Sequence, residues 1–392
     1  MKRRFPKLLT FILLLILPII YFNVQQFGKA GHPWRNEPSV NSEKPSIENM
    51  SRRASGEPFF REWQETITIA GIGDILIHDR VYHDAKTGDG YDFRPMFEHF
   101  KPILTEPDIL IANQESILGG TEIGLSTYPS FNSPHEVGDA LIDTGVDIVS
   151  TANNHTLDRG EKAIQKAIEY YEKADLPYVG HYKDWTDKKR IRVIHRNGID
   201  VAFLAYTYGT NGIPVPDGKE YLVNLIDLDE IRDEVYRAEK IADVIVMSIH
   251  WGTEYERFPS QEQKKLAMEL ANMGVDIIFG HHPHVLQPME MIETDKGKTF
   301  VVYSLGNFLT GQSTPDPYKD FGGMVSIDIT KTINEEGTFL EISNPNFYPS
   351  YVYSENNRNY QVVPLQDAEN FQLPEARNKY DELMQHMFQW LP

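Results

Sequence analysis

Seven short apolar segments, separated by amphipathic stretches, constrain the fold of this chain more than any other feature of its sequence. They are rich in Val and Ile and nearly free of polar positions, as is typical of strands covered on both faces. The segments lie at 66–73, 108–113, 147–153, 201–206, 243–250, 275–280 and 299–306. Helices are predicted at 134–144, 161–174, 229–241 and 261–273, with Ser133 and Ser260 as N-caps. This alternation predicts an α/β fold with helices on both faces of a sheet.

The two ends of the chain differ from this pattern. A basic start, MKRRFPK, precedes an apolar run from Leu8 to Phe22, which is typical of a signal peptide or a single membrane anchor. Lys29 and Phe27 make a poor cleavage region, so we favour an uncleaved anchor over residues 1–27, with its basic tip in the cytoplasm. The polar, aperiodic residues 28–64 predict a linker. The main domain is predicted at 65–332. Residues 333–392, which close with a predicted helix at 374–391, are expected to pack on it as an extension.

Charge and composition exclude several classes of function. The formal net charge is −19, and such an acidic chain is expected to repel nucleic acid. The chain has no cysteine, which excludes disulfides, thiolate metal sites and a cysteine nucleophile. A metal site in this protein must therefore use His, Asp, Glu, Asn and water.

Polar residues follow the carboxyl ends of most predicted strands. They are Asp74; Asn113 and Glu115; Asn153, Asn154, His155 and Asp158; His250 and Glu254; His281, His282 and His284; and Asn307. The carboxyl ends of strands in an open α/β sheet share one edge, so we expect these side chains to converge there. Carboxylates, amides and imidazoles suit Mn, Fe, Zn or Mg. Taken together they favour a metal or active site, although each motif alone is also explained by a polar turn.

The segment GHHPH places three histidines directly after an apolar strand. In an extended segment His282 and His284 would face the same way, and Pro283 would stiffen the turn, so both are predicted metal ligands. His281 is expected to point away and to support or pack against the site. The remaining polar residues considered are predicted to be surface or loop residues: Asp79, His78, His83, His99, His135, His181 and His195.

The motifs GDILIHD, NQES, TANNHTLDRG, HWGTEY, GHHPHVLQ and YSLGNF, in this order over residues 67–310, resemble the CapA (PgsA) family of poly-γ-glutamate capsule biosynthesis proteins. The resemblance implies a part in making, exporting or anchoring an anionic poly-γ-glutamate polymer. It also implies membrane-embedded and ATP-using partner subunits and a single-pass anchor that holds the domain on the extracytoplasmic side of the cell membrane. That family is similar to calcineurin-like metallophosphoesterases, which implies a four-layer α/β/β/α sandwich and one or two divalent metals.

The resemblance also implies roles for individual residues. The metal ligands carried over are Asp74, Glu115, Asn154, His250, His282 and His284, and His155 corresponds to the catalytic histidine. This chain departs from the metallophosphoesterase pattern twice. Ile75 and Leu76 follow Asp74, so the first histidine ligand is absent and His78 comes two residues too late. The bridging carboxylate is the longer Glu115. The first metal would thus have a poorer ligand set than the second.

Three functions remain open from the sequence. In the first, a metal-dependent hydrolase cuts a phosphoester or a γ-glutamyl amide. His155 protonates the leaving group, Asp158 orients His155, and Glu254 serves as a base or supporting carboxylate. Asn113, Asn153 and Asn307 are then predicted to contact substrate. In the second, an accessory subunit binds the carboxylates of the polymer without turnover. In the third, a secreted phosphoesterase or nucleotidase acts outside capsule synthesis.

Overall fold

The computed structural model of the protein describes residues 62–391, which form two β-sheets and their covering helices. The strands are β1 (Trp63–Leu76), β2 (Ile109–Gln114), β3 (Ile148–Ser150), β4 (Tyr178–Val179), β5 (Arg192–Arg196), β6 (Ile199–Thr207), β7 (Val244–His250), β8 (Ile277–His281), β9 (Leu286–Thr294), β10 (Gly297–Leu305), β11 (Asn307–Thr310), β12 (Phe321–Asn334), β13 (Gly337–Glu355) and β14 (Arg358–Pro364). The α-helices are α1 (Asp79–Asp84), α2 (Arg94–Phe97), α3 (Lys101–Leu104), α4 (Glu136–Asp143), α5 (Gly160–Ala174), α6 (Trp185–Lys188), α7 (Leu228–Ala238), α8 (Gln261–Met273) and α9 (Ala376–Phe388). Short 3-10 turns occur at Thr121–Ile123, Glu220–Leu222 and Leu365–Phe371.

The first sheet has the strand order β14-β13-β12-β1-β2-β3-β4, and β11 also pairs with the end of β1. The second has the order β5-β6-β7-β8-β10-β9. Within them, β1 to β4 are parallel to one another, as are β6, β7, β8 and β10. All seven predicted strands are present, as β1, β2, β3, β6, β7, β8 and β10. The predicted α/β class is confirmed, and the structure has two sheets: the alternation of strands and helices alone predicted one, whereas the family resemblance implied two.

The two sheets pack face to face, with helices on their outer faces. At Gly71 of β1 an added Cβ would lie 3.0 Å from the Phe279 ring of β8, so the sheets approach closely there. One apolar cluster joins the inner faces of both sheets to α4 and α5, and a second joins the outer face of the second sheet to α7 and α8. Because of this packing, the carboxyl ends of the parallel strands of one sheet lie beside those of the other sheet. The predicted site residues lie at these strand ends.

Helix α8 forms where the sequence predicts it. Ser260 Oγ accepts a hydrogen bond from the backbone N–H of Gln263 (3.2 Å), and Gln263 Oε1 accepts one from the backbone N–H of Ser260 (2.9 Å). This reciprocal capping box specifies the start of the helix locally. Helix α4, by contrast, begins at Glu136 with no side-chain cap, so the predicted Ser133 cap is wrong. The buried Ser133 hydroxyl instead donates to Ser116 Oγ (2.9 Å).

Residues after 320 extend the first sheet. β12 pairs antiparallel with β1 from Trp63 to Ile72, and β13 and β14 continue outward from it. The predicted closing helix is α9, whose His386 Nε2 lies 3.1 Å from the Leu286 carbonyl oxygen at the start of β9. β1 begins at Trp63, inside the predicted linker, and the predicted anchor of residues 1–27 lies outside the described residues. Among residues 62–391, no helix has the length and apolar character needed to cross a bilayer.

Candidate metal centre

The strand registers bring the predicted site residues into two facing rows. In the first sheet, Asp74 of β1 pairs with Asn113 of β2, and Asp74 also pairs with Asn307 of β11. In the second sheet, His250 of β7 pairs with His281 of β8. The rows approach each other because both sets of parallel strands end at the same edge of the sandwich. The predicted convergence of strand ends is therefore present in the fold.

Across the rows, Glu115 and Asn154 meet the histidines. His250 Nε2 lies 2.9 Å from Asn154 Oδ1 and 3.5 Å from Glu115 Oε1. His284 Nε2 lies 3.8 Å from the same Glu115 oxygen. One ligand atom each from Glu115, His282 and His284 lies within 4.8 Å of the others. These separations place carboxylate, amide and imidazole donors around one point.

Several buried polar atoms of these residues have no hydrogen-bond partner among the described residues. Both oxygens of Glu115, Nδ1 of His250 and Nδ1 of His282 are buried and unpaired. Burying a carboxylate without a partner carries a large free-energy cost, which a bound cation would remove. The donor set also matches the ligands that borderline divalent metals prefer. The site therefore fits a divalent metal ion.

Burial sets the protonation states at this centre. It raises the pKa of Glu115 well above its ordinary value, and the nearby Asp74 and Glu254 carboxylates raise it further. It lowers the pKa of His250 well below its ordinary value and that of His282 to about 3, so both imidazoles are neutral at pH 7. Neutral imidazole is the form that binds metals.

Asp74 is fully buried and is already engaged by protein groups. Its Oδ1 accepts a hydrogen bond from Asn113 Nδ2 (2.8 Å), its Oδ2 lies 3.1 Å from His284 Nδ1, and His281 Nδ1 lies 3.4 Å from Oδ1. Burial alone raises the pKa of Asp74, but the contacts with His281 and His284 outweigh it and hold the pKa well below its ordinary value. For His284, burial by itself lowers the pKa. The Glu115 and Asp74 carboxylates outweigh the effect of burial and raise the pKa of His284 to about 9.

The orientation predicted for the histidine segment needs correction. His281 was expected to point away, yet it is the last residue of β8 and faces Asp74. The prediction assumed an extended backbone through His282 and His284. In the structure these two residues have φ angles of 95° and 59°, so the chain turns sharply after β8. This turn directs three histidines toward the carboxylates of Asp74 and Glu115.

His155 and Asp158 form a pair beside the metal ligands. His155 Nδ1 lies 2.7 Å from Asp158 Oδ2, which also accepts a hydrogen bond from the backbone N–H of Phe131 (2.7 Å). The Phe131 ring packs edge-on against His155 with ring centres 4.7 Å apart. The carboxylate fixes the proton on Nδ1, which leaves Nε2 of the nearly buried His155 to exchange a proton.

The three asparagines predicted to contact substrate are buried and bonded to protein groups. Asn113 bonds to Asp74 and accepts from Ser150 Oγ (3.0 Å). Asn153 donates to the Gln114 carbonyl oxygen (3.1 Å), and Asn307 Oδ1 lies 3.0 Å from His284 Nδ1. These contacts favour a positioning role over contact with substrate.

Two predicted surface histidines are buried, and Glu254 is exposed. His78 accepts a hydrogen bond from the backbone N–H of Gly311 (3.3 Å), and burial lowers its pKa to about 4. His181 is fully buried between Tyr171 and Tyr178. It follows β4, a two-residue strand too short to leave a pattern in the sequence. Glu254 lies on the exposed loop after β7, close enough to influence the pKa of Glu115.

Sequence reasoning missed Tyr208 and Asn211, which follow β6. The Tyr208 ring lies 4.7 Å from the His282 ring and is about half exposed. Asn211 Oδ1 accepts a hydrogen bond from Asn154 Nδ2 (3.3 Å). The segment TYGTN at 207–211 stands at the carboxyl end of a predicted strand, so the rule that selected the other site residues would have found it.

Comparison with known proteins gives consistent family matches. The chain is 29% identical over 271 residues to the capsule biosynthesis protein CapA of Bacillus anthracis, which covers 67% of this chain and 64% of that protein. It is 29% identical over 267 residues to the PGA biosynthesis protein CapA of Bacillus subtilis strain 168, covering 63% and 64%. The chain thus spans slightly less than two thirds of these relatives' length. Among solved structures, the NAD nucleotidase of Haemophilus influenzae aligns over 82% of this chain and 56% of its own, with 11% identity and a TM-score of 0.44.

A family profile described as "Bacterial capsule synthesis protein PGA_cap" matches residues 68–312. That range covers more than half of the chain and contains every residue of the candidate metal centre, from Asp74 to Asn307. This chain belongs to the PGA_cap family of bacterial capsule synthesis proteins.

Proposed function

We propose that this protein takes part in the synthesis, export or anchoring of an anionic poly-γ-glutamate polymer through a divalent-metal centre. The ligands would be Glu115, Asn154, His250, His282 and His284. The observation that carries the proposal is the fully buried Glu115: neither of its oxygens has a hydrogen-bond partner among the described residues, and its Oε1 lies 3.5 Å from His250 Nε2 and 3.8 Å from His284 Nε2. The identity of the polymer is inferred from the names of the relatives, which are capsule and PGA biosynthesis proteins.

The chemistry that this arrangement favours is metal-dependent hydrolysis of a γ-glutamyl amide or a phosphoester. A bound Mn, Fe, Zn or Mg ion would supply Lewis acidity and make water more acidic. His155 would protonate the leaving group through Nε2, while Asp158 holds the imidazole in the required tautomer. Two facing sheets with outer helices support the metallophosphoesterase-like four-layer α/β/β/α sandwich that the motifs resemble.

A second candidate is an accessory subunit that binds the polymer at the metal without turnover. The hydrogen bond that Asp74 Oδ1 accepts from Asn113 favours it, because a carboxylate oxygen already bonded to an amide is a poorer ligand for a second metal. A centre with one metal would still attract carboxylates to a protein of net charge −19.

Metal analysis and hydrolysis assays on the full-length protein separate these candidates. We expect one equivalent of metal in the wild type, its loss in His282→Ala, and its retention in His155→Ala. If the protein is a hydrolase, His155→Ala should lower phosphodiester or γ-glutamyl hydrolysis by roughly 100-fold or more. The exposed His195→Ala is the matched control. Bound metal with equal activity in wild type and His155→Ala would favour the accessory subunit.

Three results would contradict the proposal itself. Absence of metal from the wild type, or retention of metal by His282→Ala, would remove the metal centre. A deletion strain with normal surface polymer would favour a secreted phosphoesterase or nucleotidase that acts outside capsule synthesis.

We further propose that residues 1–27 anchor the protein in the cell membrane as a single span, with the domain on the extracytoplasmic side. The basic start and the apolar run of the sequence support this placement. Membrane-embedded and ATP-using synthesis subunits would then be the partners, and nucleic acid would not.

A further inference from the structure

Two adjoining surface cavities lie beside β11 and the β13–β14 hairpin, and Arg80 lines both. The first has a volume of about 330 Å³, and Lys319 and Asn357 are among its lining residues. The second has a volume of about 570 Å³ and is lined by His83 and Arg358 among others. We call the two cavities together the Arg80 cleft.

The Arg80 guanidinium is held in place by protein groups but has no acidic partner. Its Nη1 donates to Asn357 Oδ1 (3.1 Å), and its aliphatic stem packs over Gly311, where an added Cβ would lie 2.7 Å from Arg80 Cγ. Within residues 62–391, neither Arg80 nor Arg358 forms a salt bridge. A guanidinium has five N–H donors in a planar fork, so Arg80 keeps donors for an external anion.

The carboxylates that line the cleft are already satisfied. Asp84 Oδ1 and Oδ2 each accept a backbone hydrogen bond, from Asn359 (3.0 Å) and Tyr360 (2.8 Å). Asp320 is paired with Lys319 at 2.5 Å. Arg80, Arg358 and Lys319 outnumber Asp84 and Asp320 among the charged lining residues, so the cleft has a local net charge of +1, although the whole chain carries −19.

The cleft is connected to the candidate metal centre through β11. Gln312 lines the first cavity, and its Oε1 accepts a hydrogen bond from Asn307 Nδ2 (2.8 Å). The other end of the same amide, Asn307 Oδ1, lies 3.0 Å from His284 Nδ1. At a rise of roughly 3.3 Å per residue, β11 itself spans about 10 Å from Asn307 to Thr310. One extended polymer chain can span that distance.

We propose that the Arg80 cleft binds side-chain carboxylates of an anionic polymer whose neighbouring residues reach the metal centre. The identification of the polymer as poly-γ-glutamate rests on the proposed function. A planar guanidinium binds a carboxylate through two parallel hydrogen bonds, and a polymer with one carboxylate per residue can occupy Arg80 and Arg358 together.

The test measures binding of γ-linked glutamate oligomers to the full-length protein at fixed ionic strength. Arg80→Gln is expected to weaken binding by about tenfold, which corresponds to roughly 1.4 kcal/mol. Arg358→Gln, at an exposed position, should weaken binding in the same direction. Arg232→Gln in α7 makes the same change of charge on the outer face of the second sheet and should bind like the wild type.

Two further comparisons test the proposal for the Arg80 cleft independently of the proposal for the metal centre. In a His282→Ala background, Arg80→Gln should still weaken oligomer binding, so dependence on Arg80 without metal supports the cleft even if the hydrolase proposal fails. Equal oligomer affinity in the wild type, Arg80→Gln and Arg358→Gln would overturn the inference. Inorganic polyphosphate binding as tightly as the glutamate oligomer would overturn the assignment to carboxylates.

Discussion

At the scale of single residues, Glu115 decides whether the centre binds metal. Burial raises the pKa of Glu115 well above its ordinary value, so replacing the carboxyl by the neutral amide in Glu115→Gln should change the free energy of unfolding of the metal-free protein by less than about 1 kcal/mol. The same change should abolish stabilisation by added metal, which at 100 times Kd is about 2.7 kcal/mol in the wild type. Thermal unfolding with and without Mn²⁺ measures both effects. Glu254→Gln, on the exposed loop, should keep the stabilisation; its loss there would show that the metal binds elsewhere.

The second prediction at this scale concerns His181 and pH. Burial lowers its pKa from 6.5 to about 3, so between these values the unfolded chain binds more protons than the folded one. Stability is therefore lost as the pH falls from about 6.5 toward 3, by roughly 2 kcal/mol at pH 5 from this residue alone. The phenylalanine ring of His181→Phe can pack between the same tyrosines. In urea unfolding, the free energy of unfolding of this variant should fall less between pH 7 and pH 5 than that of the wild type.

His195→Gln is the control for this effect, because that side chain is 66% exposed and should leave the pH dependence unchanged. An equally steep decrease in His181→Phe and in the wild type would assign the acid sensitivity to other buried histidines.

The identities of the site residues could be read from the sequence, but their orientations could not. Asp74, Glu115 and His250 were selected because they follow apolar strands, and the parallel registers bring them together. The directions of His282 and His284 relative to His281 depended on positive φ angles at these two residues, which non-glycine residues adopt only where surrounding structure imposes them. The burial of His78 depended on the backbone of Gly311, more than two hundred residues away in the sequence.

At the scale of elements, the close approach of β1 to the turn before β11 positions Asp74. The backbone N–H of Asp74 donates to the Gly306 carbonyl oxygen (2.8 Å), and a Cβ on Gly73 would collide with that same oxygen. Gly73→Ala should therefore push the two segments apart, destabilise the protein by about 2 kcal/mol or more, and weaken metal binding.

Chemical unfolding and metal titration measure this third prediction. Gly88→Ala is the matched control, because a Cβ at Gly88 meets no atom within 4 Å. A Gly73→Ala variant as stable as Gly88→Ala, with unchanged metal affinity, would show that this contact is not needed to form the site.

Elements specified by local chemistry were predictable, and those specified by distant contacts were not. Ser260 and Gln263 define the start of α8 within four residues of sequence, and the predicted and observed helices agree. The strands β12 and β13 have many half-exposed positions. The place of β12 was set by pairing with β1, more than two hundred residues earlier, and β13 in turn pairs with β12. Their sequence therefore alternates only loosely.

At the scale of the whole molecule, the predicted anchor of residues 1–27 implies that the protein is located in the cell membrane. We expect the full-length protein in the membrane fraction, with its folded domain digested by protease added to intact protoplasts. A variant without residues 1–27 should leave that fraction. A full-length protein that stays protected from external protease, or that is found in the soluble fraction, would contradict the proposed single span.

The central position of β1 has a mechanical consequence. β1 begins at Trp63 and lies between β12 and β2, with backbone bonds to β12 along most of its length. A force applied to the chain ahead of residue 62 acts along this strand, so the bonds to both neighbours are loaded in shear at the same time and do not open one by one. If growing polymer drags on a tethered protein, the strand that takes the load also carries Asp74 at its far end. A force strong enough to displace β1 would therefore move Asp74 and distort the candidate metal centre before the rest of the two-sheet sandwich unfolds.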